Sequence, residues 1–183
     1  MSLKVARLFG AIERGNTKLV ESLIQDVNVN SYLSLNNNTD ATPLMLATFK
    51  RNIDIMQLLL NKGANVDAQS PQGFTALMLL CTASNLRNDA LTECNHAARL
   101  LLTKGADVNH TNMFGTTPLM FSAHRGVYEL VTTLIDSGAD THTTDDKGIS
   151  ARGYASLGEK SYKGQHEQVI RLLDRLTRHS IAV

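Results

Sequence analysis

The run T-T-P-L-M-F-S-A-H-R-G-V-Y-E-L-V-T-T-L-I-D-S-G-A-D-T-H-T-T, Thr116 to Thr144, spells out one complete structural unit. Thr117 offers a hydroxyl to the free N–H groups at a helix start. Pro118 follows at the first helical position, where its missing N–H is no loss. Gly126 stops that short helix as a left-handed cap. Leu130, Val131, Leu134 and Ile135 then form the apolar stripe of a second helix, which Gly138 ends before the polar Ala139-Asp140 loop. Helices this short are unstable alone, so the unit requires neighbours that cover its apolar side.

Those neighbours recur along the chain. The helix start reappears as Thr42-Pro43-Leu44, Thr75-Ala76-Leu77, Thr117-Pro118-Leu119 and, weakly, Ser150-Ala151-Arg152, at spacings of 33, 42 and 33. The closing Gly-Ala pair falls at Gly63, Gly105 and Gly138, at spacings of 42 and 33. Both landmarks slip together, which assigns nine extra residues, Ser84 to Thr92, to one unit. A fixed period of this length is the mark of a repeat architecture.

A period of 33 with T-P-L and G-A-D-V-N landmarks in constant phase resembles the ankyrin-repeat family over nearly the whole chain. The resemblance implies an all-α fold, a solenoid of stacked helix–turn–helix units joined by hairpin loops. It divides a single domain, 1–183, into units near 1–36, 37–69, 70–111 with the insertion 84–92, 112–144 and 145–179. The outer two read as caps. Unit one replaces T-P-L-M with Ala6-Arg7-Leu8-Phe9, and unit five places Arg152 where the buried Leu belongs. A terminal unit has one face without a neighbour and is expected to be more polar.

Three local expectations follow. Asp40 stands where the hairpin turn otherwise has Gly, in a role that Asp tolerates better than most residues. The insertion lengthens the link between the two helices of unit three and projects as a loop. The family's T-P-L-H pattern ends here in Phe9, Met45, Met78, Met120 and Gly153. The family's His ties adjacent loops by hydrogen bonds, whereas Met is expected only to fill space, at a loss of about 1 kcal/mol per unit.

Composition narrows the function classes. With 43% hydrophobic residues, 5% aromatic and no Trp, the core is aliphatic with Met. A net charge of +1 lacks the clustered positive field of non-specific nucleic-acid binding. No apolar run approaches the ~20 residues of a membrane span, and the N-terminus lacks the basic and apolar regions of a signal peptide. Cys81 and Cys94 make no disulfide framework, which favours a cytoplasmic setting, with the nucleus or a host cytosol as further options. Cys94 with His96 falls short of a zinc set. His110, His124 and His142 lie on successive loops, without the spacing of a shared helix face. No nucleophile elbow, metal-protease helix or phosphate-cradling loop is present, so the expectation is a non-enzyme that needs no cofactor and no metal.

Family correspondence, rather than periodicity, then indicates the concave face on which ankyrin partners dock. It selects Asn38, Thr39, Ala41, Phe49 and Lys50 in unit two, and Pro71, Gln72, Phe74, Thr82 and Ala83 in unit three. In unit four it selects Met113, Phe114, Thr116, His124 and Arg125, and in unit five Asp146, Lys147 and Ile149. Phe49, Phe74, Met113 and Phe114 are large apolar groups at positions the architecture leaves open, and aromatics concentrate binding energy. Packing of Phe74 and Phe114 on neighbouring hairpins is the competing reading. The implied function is an adaptor: a monomer gripping a protein or peptide through concave face and hairpin tips, with no nucleic acid and no membrane insertion. Alternatives are a host-targeting effector of a pathogen or symbiont, a targeting fragment of a larger enzyme or channel, and a small hydrolase or metal enzyme. The stretch ending in Asn109 is also similar to ankyrin sites that asparaginyl hydroxylase modifies in animal cells.

Overall fold

The computed structural model describes residues 3–34, 40–82, 88–158 and 165–179. Ten helices among them pack as pairs. These are α1 (Leu3–Glu13) with α2 (Thr17–Leu23), α3 (Pro43–Phe49) with α4 (Ile53–Asn61), and α5 (Ala76–Thr82) with α6 (Asn88–Thr103). They continue with α7 (Pro118–Arg125) and α8 (Tyr128–Asp136), then α9 (Ala151–Gly158) and α10 (His166–His179). Odd-numbered helices touch successive odd-numbered ones, and even-numbered helices do the same. The result is a two-layer solenoid whose regular elements, among the described residues, are helices apart from β1 (Leu33–Ser34), β2 (Asp40–Ala41) and an isolated bridge between Thr144 and Ser150.

Each helix start is built as its residues require. The Thr42 hydroxyl accepts from the Met45 N–H at 3.2 Å, and the Thr117 hydroxyl accepts from the Met120 N–H at 3.3 Å. The methionines do more than fill space, contrary to expectation. Sδ of Met45 accepts from the Thr42 N–H at 3.4 Å, and Sδ of Met120 from the Thr117 N–H at 3.5 Å. Thioether sulfur is a weak acceptor, but here it satisfies a buried N–H at the helix cap. Gly126 ends α7 with φ 65°, ψ 32°, as the stretch around it predicts.

The core runs continuously through the stack, from Leu8 and Ile12 through Leu44, Ile55, Leu77, Leu101, Leu119 and Leu134 to Val169 and Leu173, all at most 1% exposed. Arg152 lies at the surface and pairs with Asp174 of α10 at 2.6 Å, as a cap unit allows.

Two sequence expectations are corrected. Asp40 makes no turn: it is extended and pairs antiparallel with Ser34, with Ala41 opposite Leu33. The connection between units one and two therefore leaves and returns as a β-ribbon. Nor is the insertion simply a loop. Residues 88–92 belong to α6, which runs for 16 residues; nothing in them breaks a helix, so the second helix extends backwards. Residues 83–87 and 159–164 lie outside the described set.

Candidate partner-binding face

Hairpins precede α5, α7 and α9. Ser70, Asn112 and Asp145 open them, and each accepts the N–H of the residue three further on, at 2.9–3.0 Å. The side chain at the same position caps the turn. Asn112 Oδ1 accepts from Phe114 and Thr116 N–H at 3.0 Å, and Asp145 Oδ1 accepts from Lys147 and Ile149 N–H at 3.0 and 2.8 Å. Successive hairpins are stitched together where Met113 N–H donates to Gln72 O and Asp146 N–H to Phe114 O, at 3.1 and 3.2 Å. Their approach is close. A Cβ on Gly73 would lie 3.0 Å from Asn112 Cα, and one on Gly115 2.8 Å from the Asp146 carboxylate. The tips thus present a rigid row of side chains.

Beside that row, the first three units enclose an open groove of about 750 Å³. Phe9, Leu33, Met45, Leu46, Phe49, Phe74 and Leu79 supply its apolar wall; Glu13, Asp40, Lys50, Ser70 and Gln72 its polar lining. Phe49 is 57% exposed, while Phe74 is half-buried and stacks on Phe121 of α7 with ring centroids 5.5 Å apart. Lys50 and Glu13 face each other at 3.8 Å. Five of the residues selected from sequence, Ala41, Phe49, Lys50, Gln72 and Phe74, come together here. Phe9, Leu33, Leu46 and Leu79 were not among them. For Phe9 a signal existed, since it holds the fourth position of the helix-start motif in unit one. Leu33 lies in the irregular connection, where no period applies.

The other selected residues distribute as follows. Met113 and Phe114 stand on the fourth unit's hairpin tip, 61% and 54% exposed, away from the groove lining. Asp146 and Lys147 are exposed on the next tip, with Ile149 half-buried beside them. Arg125 donates through Nε and Nη2 to the Thr82 carbonyl, at 3.3 and 2.8 Å, so it ties unit four to the end of α5. His124 Nδ1 lies 3.3 Å from the Tyr154 carbonyl, within hydrogen-bonding reach across the junction to unit five. Thr116 must be withdrawn from the surface set: it is 4% exposed and closes its hairpin from below. It holds the position that Phe74 and Ile149 occupy in their units, and a small polar residue there sinks inward. Asn38, Thr39 and Ala83 lie outside the described residues.

Behind the tips sits one polar cluster that sequence reading missed. The Tyr154 hydroxyl donates to Asp145 Oδ2 at 2.8 Å. Burial pushes the Tyr154 hydroxyl up from its ordinary value, and the Asp145 carboxylate adds to the shift. Among the described residues, no three His, Cys, Asp or Glu side chains converge on a point that could hold a metal. Cys81 and Cys94 are free and buried. No helix among those residues is long and apolar enough to cross a membrane.

Comparison with known proteins agrees with this architecture. The family model for ankyrin repeats in three copies matches residues 8–92, 63–145 and 90–177. The chain belongs to the ankyrin-repeat family. It is 32% identical over 133 residues to the nuclear factor NF-kappa-B p105 subunit of Gallus gallus, covering 72% of this chain and 13% of that protein. It is 30% identical over 125 residues to the E3 ubiquitin-protein ligase KEG of Arabidopsis thaliana, covering 68% of this chain and 7% of the relative. To a putative ankyrin repeat-containing protein of Treponema pallidum it is 35% identical over 118 residues, 63% of this chain and 37% of that one. The match therefore spans only a small part of these relatives. Ankyrin repeats are generally protein–protein interaction modules, and the family is typically non-enzymatic.

Proposed function

We propose that this protein is an adaptor whose concave face holds a segment of a partner protein, with the groove of units one to three receiving the segment's principal apolar side chain. The observation that carries this is the exposed Phe49 beside half-buried Phe74, over a cavity within the size range of formed binding sites. A side chain filling that space would cover Phe49 and contribute roughly 1.5–3 kcal/mol. The floor is preformed by packed helices, which lowers the ordering cost of association. The same reading takes the chain as a monomer that acts without cofactor, nucleic acid or membrane, in the cytoplasm.

The experiment is affinity capture from native lysate followed by calorimetric titration of the recovered partner against Phe49→Ala, Phe74→Ala and, separately, Phe114→Ala. The groove variants are expected to weaken binding about tenfold or more, as truncated anchor residues do. Unchanged affinity in both groove variants, with unchanged melting temperature, removes the groove from the function. A loss confined to Phe114→Ala moves the site to the hairpin tips.

A further inference from the structure

Equivalent side chains link successive units at three places. Asn30 Oδ1 accepts from the Asn65 N–H at 2.7 Å, and its Nδ2 donates to the Gly63 carbonyl at 3.2 Å. Asn109 repeats the arrangement: Oδ1 accepts from the Asp140 N–H at 2.8 Å, and Nδ2 donates to the Gly138 carbonyl at 3.0 Å. Between units two and three the residue is Asp67, which accepts from the Asp107 N–H at 3.0 Å. An ionised carboxylate has no proton to give. The donor half of the link is therefore lost, and Asp67 lies against a residue that is itself acidic.

Two further contacts cross this junction, both at its surface: Lys104 Nζ donates to Asn61 Oδ1 at 3.0 Å, and Arg51 Nε pairs with Glu93 at 3.8 Å. Arg51 holds φ 55° in the turn between α3 and α4, a conformation that disfavours any residue with a Cβ. Its buried Nε makes no hydrogen bond, so the pair with Glu93 is a long one and holds the junction weakly. The next junction along is held differently. Unit four is tied to unit three by both halves of the Asn109 link, by Arg125 on the Thr82 carbonyl, and by Thr133 donating to Asn95 at 2.7 Å. Unit five adds the Asp146 N–H on the Phe114 carbonyl and His166 Nε2 on the His124 carbonyl at 3.0 Å.

We infer that the junction between units two and three is the hinge of the solenoid, about which the first two units move as one body against the last three. Local openings follow the least-bonded boundary in a stack whose units contact only their neighbours, and among the described residues this junction carries the fewest hydrogen bonds. The groove straddles this boundary, with Phe49 and Lys50 contributed by unit two and Gln72 and Phe74 by unit three. Its width therefore follows the hinge angle.

The test is hydrogen exchange by NMR on the full chain, read at the Asn65, Asp107 and Asp140 amides, each received by an equivalent side chain. Protection at Asp107 is expected to be lowest of the three. Asp67→Asn should raise it about two- to tenfold, the span of one net hydrogen bond, while Asn65 and Asp140 stay within about twofold. Asn30→Asp, the reciprocal change, should lower protection at Asn65 and leave Asp107 as it is. Equal protection at all three amides, no change at Asp107 in Asp67→Asn, or all three rising together overturns the hinge.

Discussion

The Tyr154 hydroxyl donates to Asp145 Oδ2 at 2.8 Å, so a side chain from α9 holds the hairpin that precedes its own helix. With the Lys147 and Ile149 N–H groups on Oδ1, one carboxylate receives three donors.

That arrangement fixes a pH dependence. Burial pushes the Asp145 carboxyl up, but the donors from Ile149, Tyr154 and Lys147 outweigh it and hold it below its ordinary value. A depressed folded-state pKa contributes stability that is present above the unfolded value, about 3.9, and is lost as pH falls through the folded one. Asp145→Asn is expected to melt lower than the parent at pH 7, and the gap should shrink below about pH 4. Thermal melts of both chains across pH 2–7 check it; a gap of constant size means the charge plays no part.

The two thiols should be inert in the folded chain. Burial pushes Cys81 far up, with Cys94 adding to the effect, and burial raises Cys94 against the opposing field of Arg51. The thiolate is the reactive form. A disulfide reagent at pH 8 is expected to label the native protein at the rate of its opening, independent of reagent concentration, and the denatured chain at once. Rapid, concentration-dependent labelling of the native protein contradicts this.

Arg51 offers a route to a more stable chain. Replacement by Gly relieves the left-handed backbone, worth about 1–2 kcal/mol, against an unfolded-state entropy penalty of about 0.4–1 kcal/mol. The half-exposed pair with Glu93 contributes little at 3.8 Å. Urea unfolding should show Arg51→Gly more stable by up to about 1 kcal/mol; a less stable variant would mean the ion pair outweighs the strain.

The helix caps separate two contributions. Thr117→Ala removes the hydroxyl that receives the Met120 N–H and should lower stability by about 1 kcal/mol. Met120→Leu keeps the hydroxyl but deprives the Thr117 N–H of its sulfur acceptor. It is expected to cost less than the threonine change, because thioether hydrogen bonds are weak. Equal losses in the urea midpoint would show the sulfur contact to be as strong as the cap.

Much of this architecture was legible because its determinants are local and repeat. Thr42, Thr117, Pro118 and Gly126 carry their conformational preferences wherever they stand, and a common period put them in register. The helical character of residues 88–92 was also readable. Leu91, Cys94, Ala98 and Leu101 continue one helical face backwards from α6, with no Gly or Pro between. Reading that stretch as a loop put the spacing of landmarks above the periodicity within. The ribbon at Asp40 was not readable, since a two-residue strand depends on a partner, Ser34, in an irregular segment. Nor could the groove be drawn in full. Its residues come from three units, and whether Phe74 is presented or covered depends on Phe121, 47 positions later. Family correspondence supplied positions on a face, but Thr116 shows that residue size decides which of them reach solvent.

The close stacking of hairpins at Gly73 and Gly115 limits where along the tips a side chain can be changed. A Cβ at either place would press on the next tip, and its residue would have to adopt a φ of 79° or 70°, so both positions favour glycine. The flanking tip positions 72, 113, 114, 146 and 147 and the groove positions 49, 50 and 74 carry no such restriction. A library randomised at those eight codons, with both glycines held constant, would vary the proposed binding face without disturbing the stack beneath it.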